Sequence, residues 1–196
     1  MTTLLESGYQ IAAALGPGWR ADRGYMVRAH VVLHGPSDQV LSILHGDDSH
    51  RRTDHGRLQI RPDYRDLARH LNSGEGSNMI TVSADRAPTA IAAEITRRLL
   101  PDYTTTLGLC RTRAHADAQR QAKHQSTRDA LFQVLQPARL VYDDRVYFGD
   151  SEDGLRGNIR LLRGGTAEFE LTVSNAQALG LAHAIATQRA SGHDTQ

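Results

Sequence analysis

The sequence predicts an α+β protein: an antiparallel β-meander with packed helices, a long protruding helix, and a C-terminal β-hairpin plus helix. Three observations predict it. Apolar and polar residues alternate over 25–34, 39–45 and 57–61, the period of strands. Ile91, Ile95 and Leu99 recur at four-residue spacing, the period of an amphipathic helix. Gly164-Gly165 joins two alternating runs near the end of the chain, a hairpin signal. The order does not alternate strand and helix regularly, which argues against a doubly wound nucleotide-binding sheet. No repeat recurs at solenoid spacing.

In chain order, Thr2 or Thr3 caps a first helix, with Glu6 in its first turn and Leu4, Leu5, Ile11, Ala12 and Leu15 near one face. Gly16-Pro17-Gly18 ends it, and Trp19, the only tryptophan, is expected to plug the core where the chain turns back. Strands follow at Tyr25 to His34, Gln39 to His45 and Arg57 to Arg61, the first two joined by a turn at Gly35-Pro36-Ser37-Asp38. A short helix from Asp63 to Leu71, a Gly/Ser/Asn loop, and a short strand from Met79 to Ser83 come next.

Pro88 suits the first turn of the clearest amphipathic helix. Pro101 is expected to interrupt it and Asp102 to restart it. From Arg111 to Asp129 the only apolar residues are alanines, so the helix is polar all round and reads as projecting from the body. Leu131, Phe132, Val134 and Leu135 restore an apolar face, and Pro137 ends the element. Short strands at 140–142 and 145–148 precede the hairpin formed by Asn158 to Arg163 and Ala167 to Val173. A three-residue loop, Gly164 to Thr166, would set Leu161 opposite Phe169 and Ile159 opposite Leu171; a two-residue loop would set both against glutamates. A last helix runs from Ser174-Asn175 to about Gln188, with Ala178, Leu179, Ala182, Ile185 and Ala186 on one side, and residues 191–196 form a disordered tail. The chain therefore divides into 1–101, a helical segment 102–136, and 137–190.

At 196 residues the chain can build one sizeable core or two small ones. The net charge of +1 demands neither a nucleic-acid nor a membrane partner. One cysteine excludes an internal disulfide and a cysteine-rich zinc site. Cys110 sits in an apolar patch and reads as a buried, inert thiol. The N-terminus lacks the features of a secretory signal, and no run is long enough to span a membrane, so a cytoplasmic protein is the expectation. No phosphate-binding, nucleophile-elbow or dinucleotide motif is present, and no cofactor is implied.

The stretch Leu15-Gly16-Pro17-Gly18-Trp19, followed by Ile80-Thr81-Val82-Ser83-Ala84-Asp85-Arg86-Ala87-Pro88 and Ile95 to Pro101, resembles uncharacterised proteins of high-GC actinobacteria and their phages or mobile elements. The likeness covers roughly the first hundred residues. It implies a phage or mobile-element origin and carries over no functional residue. The order of the first helix, the meander and the next helix also resembles that of double-stranded RNA binders, without the lysine-rich second helix found there.

Three residue sets are candidate sites. Arg111, Arg113, Arg120, Lys123 and Arg128 run along the long helix and are the expected contacts of a protein partner or a second copy. Arg51, Arg52, Arg57, Arg61 and Arg65 form the alternative, an arginine face for phosphates. His45, Asp47, His50, Asp54 and His55 are a more distant metal candidate, although their spacing matches no established metal motif. Asp143, Asp144, Asp150, Glu152 and Asp153 read as solvated turns. The leading expectation is a non-enzymatic interaction protein that binds a host protein or self-assembles through the long helix. A nucleic-acid binder is the alternative, and a metal-dependent hydrolase the distant one.

Overall fold

A computed structural model describes residues 3–24, 30–49, 51–142, 144–150, 154–162 and 164–191. The chain divides into two compact units, residues 1–116 and 117–196, so the boundary falls inside the long helix rather than at its ends.

The first unit opens with α1 (Leu4–Leu15). Thr3 accepts from the Glu6 backbone N–H while the Glu6 carboxylate accepts from the Thr3 N–H, which satisfies two otherwise orphaned donors. Thr2 lies outside the described residues. Five strands follow: β1 (Arg20–Arg23), β2 (His30–His34), β3 (Val40–His45), β4 (Arg57–Pro62) and β5 (Ile80–Ser83). Each pairs antiparallel with the next, in the order β1-β2-β3-β4-β5. β1 was not foreseen, because Ala21 is its one apolar residue and an edge strand needs little more. Of the strand expected at 25–34, residues 30–34 are described and 25–29 lie outside. The expected helix at 63–71 is a 3-10 turn at Arg65–His70, opened by Asp63, whose carboxylate accepts from the Arg65 N–H.

Alternation puts Val31, Leu33, Leu41, Ile43, Leu58, Ile60, Ile80 and Val82 on one face of this sheet, all buried. Against them pack α1, α2 (Pro88–Arg98) and the start of α3 (Leu100–Val134). Gly8 lets α1 approach closely, since a Cβ there would lie 2.5 Å from Val31 Cγ1. Ile91, Ile95 and Leu99 form the predicted ladder. The helix is interrupted as expected: α2 ends at Arg98, Leu99 caps it, and α3 restarts at Leu100 with Pro101 in its first turn, where a missing N–H leaves no bond unmade.

Tyr103 fixes α3 to the sheet. It is fully buried, accepts from the Val40 N–H at 2.8 Å, donates to the Asp63 carbonyl at 3.3 Å, and meets Tyr64 edge-on at 5.3 Å. Leu107 and Cys110 continue the buried face one and two turns on. Burial raises the Cys110 thiol above its ordinary value, in keeping with an inert core residue.

The second unit holds the rest of α3 and four antiparallel strands, β6 (Ala138–Leu140), β7 (Arg145–Asp150), β8 (Leu155–Leu161) and β9 (Ala167–Val173), in that order. Val146, Phe148, Ile159 and Leu161 are buried on one face, where Leu131 and Leu135 of α3 pack. Val134 points away and is 81% exposed, so the apolar face expected at the end of α3 is narrower than its sequence. The hairpin register differs from expectation by two residues: Ile159 faces Phe169 and Leu161 faces Ala167. The Leu162 N–H bonds to the Thr166 carbonyl, and Gly165 takes the left-handed φ of 80° that closes the loop. A shift of two preserves which residues share a face, so the side-chain argument fixed the parity and not the offset. The chain ends in α4 (Asn175–Ser191); residues 192–196 lie outside the described set.

Replacing Tyr103 with Phe leaves the Val40 N–H buried without its acceptor. The expected loss is about 1–3 kcal/mol, read as a lower midpoint in urea with unchanged slope.

Candidate functional site

The structure places most of the sequence-derived candidates in structural bonds. Arg113 donates to both Glu75 oxygens, at 2.5 and 2.9 Å, and to the His70 carbonyl. This pair draws the Glu75 carboxyl down to about 2, chiefly through the Arg113 hydrogen bonds and then the Asn72 N–H. Arg111 donates to the Ser37 carbonyl and lies 3.6 Å from Asp38. Both arginines thus tie α3 to loops of the first unit. Arg120 pairs with Asp117 one turn away, and Arg128 with Asp129 beside it. The Lys123 side chain makes no hydrogen bond or ion pair among the described residues. Arg120, Lys123 and His124 line a pocket of about 390 Å³ against Leu161, Leu162 and the Gly164–Ala167 turn.

Of the arginines of the alternative reading, Arg57 and Arg61 share the face of the first sheet opposite its helices, since Leu58 and Ile60 between them are buried on the other. Arg51 and Arg52 are exposed at the tip joining β3 and β4. Arg57 donates to the Thr81 carbonyl and hydroxyl across to β5. Arg61 shares its face of the first sheet with Ser42, and Arg65 reaches the His34 Nδ1 at 3.3 Å.

The described metal candidates make bonds that shape the same tip, the carboxylates as acceptors and the histidines against oxygen atoms. Asp47 accepts from the Gly56 N–H at 2.7 Å and lies 2.9 Å from His45 Nδ1; the Gly56 bond is the main reason its carboxyl titrates low. Asp54 accepts from Ser49 and Gln59. His55 Nε2 lies 3.3 Å from the Ser49 carbonyl. His50 lies outside the described residues, as do Asp143, Glu152 and Asp153. Among the described residues no three metal-ligating side chains converge.

His30, expected on the outward face of its strand, and Ser42 lie buried on the face of the first sheet opposite its helices, 3.1 Å apart through His30 Nε2 and Ser42 Oγ. Gly24 makes room for the ring, since a Cβ there would lie 1.9 Å from His30 Nδ1. Burial, then the Arg61 charge, lowers the His30 pKa, and burial followed by Arg65 lowers that of His34.

The most uncovered surface belongs to β9 and α4. Of the 23 residues from 167 to 189, 21 are exposed, only Leu171 and Val173 being half-covered. Phe169 is 60% exposed, Leu179 63% and Ile185 55%. The β9 edge is open as well. The Leu162–Thr166 bond and the register make Glu168, Glu170 and Thr172 the residues bonded to β8. The N–H and C=O groups of Ala167, Phe169, Leu171 and Val173 therefore face outward.

No family model, characterised protein or solved structure matches the chain. No helix among the described residues is long and apolar enough to cross a membrane.

Acid should weaken the fold in two stages. His30 and His34 have folded pKa values below 6.5, so the unfolded chain binds their protons first, and stability falls as pH drops through about 6.5. Glu75 adds a separate loss as pH falls from about 4.5 toward its folded value of about 2. Thermal melts at stepped pH should show the first stage diminished in His30→Gln and the second in Glu75→Gln; a midpoint that does not move between about pH 7.5 and 5 contradicts the histidine assignment.

Proposed function

We propose that this chain is a non-enzymatic interaction protein that assembles with itself through its C-terminal strand and helix. The uncovered run from 167 to 189 carries the reading. A stable protein interface takes about 20–30 residues a side, and this run of 23 offers 21 exposed ones. Large apolar side chains are normally exposed singly; here Phe169, Leu179, Leu181 and Ile185 are exposed within 17 residues. In α4, Ala178, Leu179, Ala182, Ile185 and Ala186 share one half of the helix, and the small residues permit a close helix neighbour. The polar middle of α3 offers no comparable apolar surface, which moves the partner contact from that segment to β9 and α4.

A second copy suits the open edge. Two β9 strands related by a two-fold axis can pair only in registers that keep outward-facing residues opposite one another. With Leu171 on the axis, Phe169 faces Val173, Glu170 faces Thr172 and Glu168 faces Ser174 of the partner. Shifting the axis to Glu170 or Phe169 sets glutamate against glutamate, which is unfavourable. Of the registers that oppose no glutamates, the Leu171-centred one pairs the longest stretch of β9 and is the expected one, and it extends the four-stranded sheet to eight strands.

Light scattering after size exclusion, over a concentration series, tests this. The wild-type chain should run at twice its monomer mass or more. Phe169→Glu with Ile185→Glu should raise the dissociation constant about tenfold or more while leaving the circular dichroism unchanged. A wild-type chain that stays monomeric throughout, or a double variant that dimerises equally well, overturns the proposal.

A further inference from the structure

The opposite, polar face of the four-stranded sheet carries a second feature, independent of assembly. A cavity of about 600 Å³ opens there, within the size range of small-molecule sites. One row of side chains crosses all four strands: Arg139 on β6, Tyr147 on β7, Asn158 on β8 and Glu170 on β9. The neighbouring row adds Arg156 and Thr172. All six line the cavity.

The donors and acceptors are unevenly committed. Arg139 and Arg156 make no hydrogen bond or ion pair among the described residues, so two guanidiniums face the cavity unspent. Strand spacing and rise put their Cα atoms roughly 12 Å apart, within reach of one tetrahedral anion between the two side chains. Arg145 donates to the Tyr147 hydroxyl at 3.1 Å, which leaves the phenol's own proton to donate elsewhere. The Asn158 amide donates to one Glu170 oxygen at 2.8 Å, which turns its own carbonyl and the other carboxylate oxygen into available acceptors. By contrast, Arg160 is held by Asp144 and Glu168.

We propose that this cavity binds a phosphorylated sugar, with Arg139 and Arg156 on the phosphate and Asn158 and Glu170 on the sugar hydroxyls. Two arginines at one part of the lining, and the Asn158 carbonyl and the Glu170 and Asp150 carboxylates as acceptors, match a ligand with one anionic end and one hydroxyl-bearing end. Glu168 and Glu170 on the same face disfavour a long polyanion, which selects a small phosphate ester over a nucleic-acid backbone.

Titration calorimetry with the full chain tests it, using ribose 5-phosphate, adenosine monophosphate, inorganic phosphate and ribose at matched ionic strength. Ribose 5-phosphate should bind at least about tenfold more tightly than inorganic phosphate or ribose, because both ends are engaged. Arg139→Ala and Arg156→Ala should each weaken it severalfold with the melting temperature kept. Glu170→Gln should weaken ribose 5-phosphate and leave inorganic phosphate unchanged or tighter. Adenosine monophosphate should bind at least as well as ribose 5-phosphate if the ring leaves the open cavity unobstructed, and worse binding limits the ligand to the smaller sugar phosphates. Equal affinity for inorganic phosphate and ribose 5-phosphate, no binding of either ester at millimolar concentration, or unaltered binding by the arginine variants overturns the proposal.

Discussion

A single α-helix cannot cover a four-stranded sheet. A helix with its side chains is about 10 Å across, and strands lie about 4.8 Å apart, so one helix covers roughly two strands. The first unit meets this constraint with three helices against five strands, and its apolar face is buried throughout. The second unit meets four strands with the end of α3 alone. Leu131 and Leu135 reach Phe148, Ile159 and Leu161, which are buried. Phe169 on β9 and Leu140 on β6, in the same row, stay exposed. Among the described residues, α4 is exposed from 175 to 189 and leaves this deficit unfilled. The assembly proposal follows from that shortage of cover.

The composition of α3 has a related origin. Its first turns serve the first core through Tyr103, Leu107 and Cys110, and its last turns serve the second through Leu131 and Leu135. The helix runs roughly 50 Å, far more than either core needs. Between the two contacts no core is present to demand apolar residues, so alanine, glutamine and paired charges maintain the helix through propensity alone. Arg111 and Arg113 lie at the edge of this stretch and brace it against the loops at Ser37 and Glu75. A charge-rich helix surface is therefore partly structural, and its arginines are less available to a partner than their number suggests.

Much of the fold was legible because local rules and tertiary packing agree. The Thr3–Glu6 cap, the Ile91–Ile95–Leu99 ladder and the parity of the last hairpin each follow from a period or a spacing. The exact hairpin offset was not legible, because every even shift keeps the same residues on the same face. β1 was missed because an edge strand with one buried alanine leaves no periodic signal. The candidate sites were read less well. Arg139, Arg156 and Asn158 never form a cluster in sequence; strand pairing alone assembles them. Their alternation with Leu140, Leu155 and Ile159 was the available signal. The bonds that occupy Arg57, Arg113 and Asp47 come from distant backbone groups or side chains, to which spacing gives no access.

Assembly through β9 depends on its open edge, and hydrogen exchange at the outward amides tests it most directly. In a single copy the N–H groups of Phe169, Leu171 and Val173 have no strand partner and exchange quickly. Pairing of two copies gives each of them an acceptor, so their exchange should slow progressively as protein concentration rises, while the amides of Glu168, Glu170 and Thr172 change little. Fast exchange at Phe169, Leu171 and Val173 that is independent of concentration would contradict the account.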